Sequence, residues 1–139
     1  MMKARARTAA RIAGLDPDRL NEWIAAGDYP CAPQTVPGKV RIFSEREIVG
    51  LCVFERLMAD GMAAYPAGHI ACDVVELAAS FNPPLVIVSG GGAFACTADT
   101  LLGYISESPS AYVMVFKIDT IAKRITAALT EEQSIVGDE

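Results

Sequence analysis

The N-terminal third of the sequence concentrates side chains of the kinds that contact nucleic acids. Arg19 and Asn21, together with Asp18, lie in the first turns of a helix predicted over residues 16–27. An arginine fork matches the acceptors of guanine and an asparagine amide matches adenine, so we expect this group to contact base edges. Five further cations are predicted phosphate contacts, which position a protein on DNA without reading its sequence. They are Arg5, Arg7, Arg11, Lys39 and Arg41.

Charge is distributed unevenly along the 139 residues. The formal net charge of -5 by itself argues against nucleic-acid binding. Residues 1–46, however, hold eight Lys or Arg against five Asp or Glu, a net of +3, whereas residues 47–139 hold four against twelve, a net of -8. A basic segment attracts anions and an acidic remainder repels them. The sequence therefore predicts that nucleic acid contacts the N-terminal segment alone.

Two short helices joined by a tight turn are predicted to position these side chains. Residues 5–13 are rich in alanine with their apolar residues on one side, and Gly14 ends this first helix. Asp16, followed by proline, provides the N-cap of a second helix, which ends at Gly27. The pattern is typical of a helix-turn-helix, in which the second helix enters the major groove. Plain solvation of a helix surface is the alternative interpretation of its polar residues.

A strand is predicted after this helix pair. Three prolines make residues 28–40 unsuitable for a helix and indicate an irregular hairpin. Residues 39–43 then alternate polar and apolar side chains, as a half-buried strand does. We expect a wing over residues 30–43 whose tip carries positive charge to the DNA backbone.

A third helix follows the strand. Ser44 and Glu47 have the spacing of a capping box, so the helix is predicted to begin near Glu45, and Gly61 is predicted to end it. Its apolar residues recur at helical spacing and need a partner, which the first two helices supply. Trp23 is expected to pack between those two helices. The predicted core residues of the motif are Leu20, Trp23, Phe43 and Ile48.

These N-terminal motifs resemble the MerR-type winged helix-turn-helix transcriptional regulators, over roughly residues 6–64. The shared motifs are a glycine-hydrophobic turn, a leucine-polar-polar-aromatic helix ending in glycine, and arginine-x-aromatic-Ser-x-x-acid-Ile, which is the most specific. Excisionase-like and phage-type relatives of that fold are equally good comparisons. The resemblance implies DNA binding by an N-terminal winged helix-turn-helix. Here the motifs are Gly14-Leu15, Leu20-Asn21-Glu22-Trp23 through Gly27, and Arg41-Ile42-Phe43-Ser44-Glu45-Arg46-Glu47-Ile48.

The rest of the chain is predicted to form a connecting helix and a small lobe, which makes the fold class α+β. The segment over residues 65–82 has helical periodicity and two prolines follow it. The lobe over residues 83–139 mixes short apolar runs with helical patterns, and we expect the chain to fray beyond Thr130. Its predicted strands are residues 85–89, 93–97 and 111–118, and its predicted helices begin at Thr97 or Asp99 and at Asp119.

We expect this C-terminal lobe to make the protein a homodimer. The strand over residues 111–118 is apolar at nearly every position, which indicates burial on both faces. The helix over residues 120–129 presents an Ile-rich stripe that needs a partner. Packing of the lobe on the connecting helix of the same chain is the alternative. Pairing would let two DNA-binding domains contact half-sites that are one helical turn of DNA apart.

The four cysteines show no CxxC pair and no His partner at zinc-finger spacing. We interpret Cys31, Cys52, Cys72 and Cys96 as reduced thiols, mostly structural. A metal site that combines His69 and Cys72 with a remote cysteine stays an alternative. The run of glycines at residues 90–92 lacks the spacing of a phosphate-binding loop, so we expect a hairpin turn there.

The sequence offers little to support catalysis or membrane insertion. No Ser-His-acid set can be built around the single histidine, so we expect no enzyme, no catalytic residues, no metal and no cofactor, although carboxylate-only chemistry stays open. No apolar run approaches the length that spans a bilayer. No apolar stretch follows the basic N-terminus, so we expect no secretory signal and a cytoplasmic location.

These patterns predict a sequence-specific double-stranded DNA-binding transcriptional regulator of bacterial or phage type. Helix 16–27 would enter the major groove and wing 30–43 would lie on the backbone, with contact to RNA polymerase as a further expectation. The alternative is a protein-interaction adaptor that docks polymerase or a recombinase without specific DNA binding, favoured by Glu22 and the acidic total charge. An enzymatic C-terminal lobe is a third hypothesis. The predicted domains are residues 1–64 for DNA binding, 65–82 for the connecting helix and 83–139 for the oligomerisation lobe.

Overall fold

The computed structural model describes residues 2–35, 37–90 and 92–136, and the fold of these residues is mixed α+β, as predicted. Val36 of the expected wing, Gly91 of the glycine run and residues 137–139 of the expected frayed end lie outside the described residues. In chain order the elements are β1 (Lys3–Arg5), α1 (Ala6–Ala13), α2 (Pro17–Ala26), β2 (Ile42–Ser44), α3 (Glu45–Ala59), α4 (Ala64–Phe81), β3 (Leu85–Ser89), β4 (Gly92–Cys96), α5 (Ala98–Glu107), β5 (Met114–Lys117) and α6 (Ile118–Val136).

Capping groups lie at the end of α1, at both ends of α2 and at the start of α3, where the sequence predicts them. Gly14 and Gly27 end α1 and α2 with φ of +82° and +83°, a left-handed conformation that glycine adopts at little cost. The Asp16 carboxylate accepts from backbone N–H groups of the first turn of α2. At the start of α3, the Ser44 N–H donates to Glu47 Oε1 at 2.9 Å and the Glu47 N–H donates to Ser44 Oγ at 3.2 Å, which completes the capping box.

The first sheet joins the N-terminus to the strand before α3. β1 pairs antiparallel with β2, with Ala4 opposite Phe43, and both side chains are buried. The prediction of a hairpin strand over residues 39–43 is therefore wrong in two respects, because the strand is confined to Ile42–Ser44 and its partner is the N-terminal strand. The described part of residues 28–41 contains no strand, since its prolines remove backbone donors that a ladder needs.

α3 lies at the centre of the core. Its buried residues include Ile48, Leu51 and Phe54, and the helix packs against α1, α4 and α6. α6 adds Ile125 and Leu129 to the same hydrophobic cluster. The apolar stripe of α6 is thus covered by α3 of the same chain, and the expectation that it needs an external partner is wrong. Burial of that stripe unites the N-terminal segment and the C-terminal lobe in one core.

The second sheet has the strand order β4-β3-β5 and is antiparallel throughout. Its inner face contributes Val86, Val88 and Phe116 to the core. β3, β4 and α5 lie where the sequence predicts them. β5 is shorter than the predicted strand, and it is not buried on both faces, because Val115 on the outer face is 40% exposed.

α6 is longer than predicted. It begins at Ile118 and continues to Val136, so the expectation of fraying beyond Thr130 is wrong as far as residue 136. Two local contacts accompany the extra turns. The Thr130 hydroxyl donates to the carbonyl of Thr126 at 2.8 Å, and Glu132 lies 3.6 Å from the guanidinium of Arg11 on α1.

Cys31 and Cys72 form a disulfide, with their Cα atoms 5.6 Å apart. The prediction of reduced cysteines is wrong for this pair, while Cys52 and Cys96 are free thiols. The bond also removes Cys72 from the alternative metal site with His69. A separation of 41 residues conceals the pair in the sequence, because only the packing of α4 beside the loop after α2 brings the two sulfurs together.

The loop after α2 lies very close to α4. Gly68 of α4 faces Asp28, and a Cβ atom built at Gly68 would overlap the carbonyl oxygen of Asp28. Glycine is therefore required here for close approach of two backbones. The disulfide and this contact together hold the loop that leads from α2 toward β2.

Candidate nucleic-acid interface

A groove of about 710 Å³ lies between α1, α2 and the loop before β2, and we call it the basic groove. All five cations predicted as phosphate contacts line it, and none of its described lining residues is acidic. The sequence suggested these cations one by one, whereas the structure brings them to one concave surface. The lining residues are Arg5, Ala6, Arg7, Thr8, Arg11, Asn21, Thr35, Lys39, Val40 and Arg41.

α1 presents two of these cations because its other side is buried. Ala9, Ala10 and Ala13 pack into the core, and their small side chains let α1 lie close to α3. Arg7 and Arg11 are four residues apart, so they share one exposed helix face. The helix therefore directs two guanidinium groups to the same side of the groove.

The N-terminus of α1 also opens into the groove. Ala6, Arg7 and Thr8 form its first turn, which contains no acidic residue, and the side chain of Arg5 does not cap it. The N–H of Ala6 donates to the carbonyl of Arg41 at 3.0 Å, which ties the helix start to the loop before β2. The positive end of the helix dipole therefore adds to the charge of the cations.

The loop before β2 supplies the remaining cations. The guanidinium of Arg41, which is half-buried, donates to the carbonyl of Pro33. The hydroxyl of Thr35 donates to the carbonyl of Lys39 at 3.1 Å and closes the tip of the loop. Arg41 consequently has a structural contact as well as a place in the groove, whereas Lys39 is exposed.

Two cations of the groove already have carboxylate neighbours. Arg7 lies 3.6 Å from Asp18 of α2, and Arg11 lies 3.6 Å from Glu132 of α6. All four side chains are substantially solvent-exposed, and ion pairs of this kind contribute only about 0–1 kcal/mol. A phosphate can therefore exchange with either carboxylate at little cost.

α2 is anchored by one side and exposes the other. Leu20 is buried, while Asp18, Arg19 and Asn21 are exposed. Of these three predicted base contacts, only Asn21 lines the basic groove. The Arg19 guanidinium lies over the ring of Trp23, 5.0 Å from its centroid, in a cation–π contact on another side of the helix.

An aromatic cluster holds α2 against α3. The ring of Trp23 meets Phe54 edge-on with centroids 5.2 Å apart, so its partner is α3, whereas we expected it between α1 and α2. Tyr29, just after α2, also packs on Phe54 at 5.0 Å. Phe43 and Ile48, the other predicted core residues, are fully buried.

Tyr29 is a supporting residue that sequence reasoning missed. It is 2% exposed, and its hydroxyl has no hydrogen-bond partner among the described residues. Burial, with smaller contributions from Glu47 and Cys52, raises the pKa of Tyr29 well above its ordinary value. The capping pattern could not have found it, because Tyr29 lies two residues after the Gly27 cap and its ring packs on Phe54 of α3.

Sequence reasoning also missed Thr8, Thr35 and Val40 in the groove lining. Thr8 could have been found from its spacing, because it lies three residues before Arg11, whose guanidinium donates to its hydroxyl at 3.2 Å. Thr35 and Val40 could not, since the path of a proline-rich loop is set by the packing around it.

A second cavity, of about 400 Å³, lies between α1, α3 and α6. Cys52 lines it, and burial first and Glu55 second raise the pKa of the Cys52 thiol to about 11. A thiol with so high a pKa is almost fully protonated near neutral pH and is a poor nucleophile. This cavity therefore offers no activated cysteine for covalent catalysis.

The parts of the chain that the structure describes also bear on metal binding and on membrane insertion. They contain no group of three His, Cys, Asp or Glu side chains that could hold a metal ion. His69 lies with Nδ1 2.9 Å from the carbonyl oxygen of Tyr65 and stacks on its ring. Within the same residues, no helix has the length and apolar character needed to cross a bilayer.

Comparisons with known proteins do not assign this geometry to a family. No protein-family model matches the chain, and no curated protein matches it significantly. The function must therefore be argued from the basic groove and from the sequence motifs.

Proposed function

We propose that this protein is a sequence-specific double-stranded DNA-binding transcriptional regulator of bacterial or phage type. In this proposal α1 and α2 act as a helix-turn-helix, and the loop before β2 acts as the wing. The observation that carries it is the convergence of five cations on one groove. Like charges repel one another, so their clustering is unfavourable until an anion binds, which supports a polyanionic ligand.

The acidic remainder of the chain supports one orientation on DNA. Residues 47–139 carry four basic against twelve acidic side chains, a net of -8, whereas the groove is built from residues 5–41. A duplex held in the groove would meet cations there and be repelled elsewhere. This polarity directs the N-terminal segment toward the DNA and leaves the C-terminal lobe in solvent.

Phosphate contact and base reading fall to different side chains in this proposal. The groove cations neutralise phosphates, while α2 presents Asn21 to an adenine edge. Arg19 would have to leave the ring of Trp23 before it reached a guanine, which costs only about 0.5–1 kcal/mol at an exposed site. Asp18 would have to release Arg7, another weak exposed pair.

The second candidate function is a protein-interaction adaptor that docks polymerase or a recombinase. The ion pairs of Arg7 with Asp18 and of Arg11 with Glu132 favour it, because they reduce the charge that the groove offers to phosphate. Glu22, exposed on α2, acts in the same direction, since it would repel a nearby phosphate. The two candidates differ in the strength and salt dependence of DNA binding, so one titration separates them.

The experiment measures binding of the full chain to DNA, first by selection from fragmented genomic DNA and then by anisotropy on the enriched duplex. With about five neutralised phosphates, affinity should fall about 10²- to 10³-fold between about 50 and about 200 mM salt. Lys39→Ala should lower the affinity for all duplexes by a similar factor. It should also reduce the slope of log affinity against log salt concentration by about one. Asn21→Ala should instead lose discrimination of about 1–3 kcal/mol at one base pair.

The matched control is Lys123→Ala, which removes an exposed cation of α6 outside the groove and should leave both affinity and slope unchanged. Arg41→Ala should resemble Lys39→Ala in binding, but it also removes the contact to Pro33, so its folding must be checked by circular dichroism. Failure to enrich any sequence, or affinity that does not respond to salt, would reject the regulator and favour the adaptor.

A further inference from the structure

α5 is a ten-residue helix without a single buried residue. Leu101 is half-buried, and every other residue of the helix is exposed. Leu102 is 75% exposed, the highest exposed fraction of any large apolar side chain among the described residues. Tyr112, before β5, has the same exposed fraction. Each of the other helices buries at least one side chain in the shared core, and all of them except α2 bury several. α5 is thus attached to the lobe by far less packing than its neighbours.

The pattern of α5 nevertheless requires burial. Leu101, Leu102, Tyr104 and Ile105 lie at helical spacing on one side, whereas Asp99 and the polar residues occupy the other. Tyr104 is turned toward the sheet, where it lines a groove together with Phe94. An isolated helix shorter than about 12–15 residues is marginal in water, so most of its stability must come from packing of the apolar side.

The outer face of the C-terminal sheet adjoins α5 where Tyr104 and Phe94 line the same grooves. Phe94 of β4, Ile87 of β3 and Val115 of β5 are register partners and form one row across three strands. The central Ile87 is buried, but Phe94 is 49% exposed and Val115 is 40% exposed. We call the combined surface the α5 face, which consists of Phe94, Leu102, Tyr104, Ile105 and Val115.

Charge restricts what can cover the α5 face. α5, β3 and β4 contain no Lys or Arg, the acids of α5 are Asp99 and Glu107, and Glu107 lines a groove with Phe94 and Tyr104. The cation of β5 is Lys117, which lies on the exposed side of that strand two residues from Val115. Such a surface is apolar at its centre and offers no cluster of cations to DNA or to anionic lipid headgroups. An apolar protein surface therefore suits the α5 face better than a polyanion does.

The area of the face agrees with what a dimer needs. From their exposed fractions, the five side chains present on the order of 400 Å² of apolar surface. A standard interface buries about 800 Å² on each partner, of which roughly 60% is apolar. An apolar patch with charged residues around it is self-complementary across a two-fold axis if the charged residues stay at the rim.

We infer that the α5 face is covered by the α5 face of a second copy of this chain. The inference rests on the proposed function in one respect, because a two-fold pair would present two basic grooves to two half-sites. The assignment differs from the interface expected from the sequence, since the stripe of α6 is already buried against α3. The surface that remains for pairing is α5 with the outer face of the sheet.

The test is the mass of the full chain in solution, measured by analytical ultracentrifugation over a wide concentration range. Wild type should sediment as a dimer, and both Leu102→Glu and Leu102→Lys should raise the dimer dissociation constant at least about tenfold. Two charges of opposite sign are used because either one is repelled by its own copy across a two-fold axis. Both variants should keep the wild-type circular dichroism spectrum, because Leu102 buries little surface within one chain.

The matched control is Tyr65→Ser, which removes an exposed ring at the start of α4, away from the α5 face, and should leave the dimer intact. A wild-type protein that is monomeric at all concentrations, with or without DNA, overturns the inference. A dimer that survives both Leu102 variants overturns the assignment to this face. A monomer that binds DNA with a steep salt dependence would refute the dimer and support the proposed function. A dimer that does not bind DNA would refute only the proposed function.

Discussion

Two helices of ten residues each, α2 and α5, are held in opposite ways. α2 is capped at both ends, buries Leu20 and is supported by the contact of Trp23 with Phe54. α5 is capped at its start, where the N–H of Thr97 donates to Thr100 Oγ1 at 3.0 Å, but it buries no residue. The difference shows that regular local structure alone does not reveal whether the apolar side of a helix is covered by its own chain.

The exposed sides of α2 and α5 also differ in chemical character. α2 shows polar and charged groups to solvent beside the basic groove, which suits a ligand of phosphates and base edges. α5 shows Leu102 and Ile105, which suit a protein surface. In the proposed function, α2 needs firm anchorage to read DNA in a fixed register, whereas in the proposed dimer α5 is anchored by association.

The largest expected effect comes from opening the disulfide that follows α2. Cys31→Ser removes a crosslink between residues separated by 41 positions, and loop closure of that length corresponds to about 4 kcal/mol in the chain-entropy model. Urea unfolding of the oxidised proteins should show that loss in the free energy of unfolding. A thiol reductant should destabilise wild type by a similar amount and leave Cys31→Ser unchanged. Equal sensitivity of both proteins to the reductant would contradict the crosslink.

A pair of glycine substitutions tests the contrast between the two regions more directly. Gly68→Ala places a Cβ atom on the carbonyl oxygen of Asp28, so the loop after α2 must move away from α4, and we expect a loss of about 3 kcal/mol or more. Gly103→Ala on α5 meets no atom within 4 Å, and it should stabilise the helix by up to about 1 kcal/mol. Thermal unfolding of the two variants should therefore shift in opposite directions. Similar shifts would mean that α2 and α5 do not differ in packing as described.

The sequence predicted the parts of the fold that depend on local chemistry. Asp16 before α2, the Ser44 and Glu47 box and the glycines at helix ends act over one turn of chain, and all lie where expected. The strand LVIVS and the helix after Thr97 were also found, because apolar runs and caps are local signals. The cations of the basic groove were named as well, although their convergence was not.

What the sequence could not provide depends on contacts between distant residues. The partner of β2 is the N-terminal strand, and Cys31 meets Cys72, because the path of the chain brings them together. The apolar stripes of α5 and α6 look alike in the sequence, yet the stripe of α6 is covered by α3 and the stripe of α5 is exposed. Only the arrangement of all the elements decides which stripe is left for a partner.

The smallest expected effect concerns the hydroxyl of Tyr29, which belongs to the support of α2. The ring packs on Phe54, but the buried hydroxyl finds no partner among the described residues and lies next to Gly50, where a Cβ atom would touch it. An unsatisfied buried hydroxyl costs about 1–3 kcal/mol, so Tyr29→Phe keeps the ring contact and should raise the free energy of unfolding by about 1 kcal/mol. Tyr29→Leu is the matched control, since it also removes the hydroxyl but loses the aromatic contact and should destabilise. Urea unfolding at one pH checks both variants. Destabilisation by Tyr29→Phe would mean that the hydroxyl has a partner after all, such as an ordered water, and that α2 is supported by a polar contact as well as by the aromatic cluster.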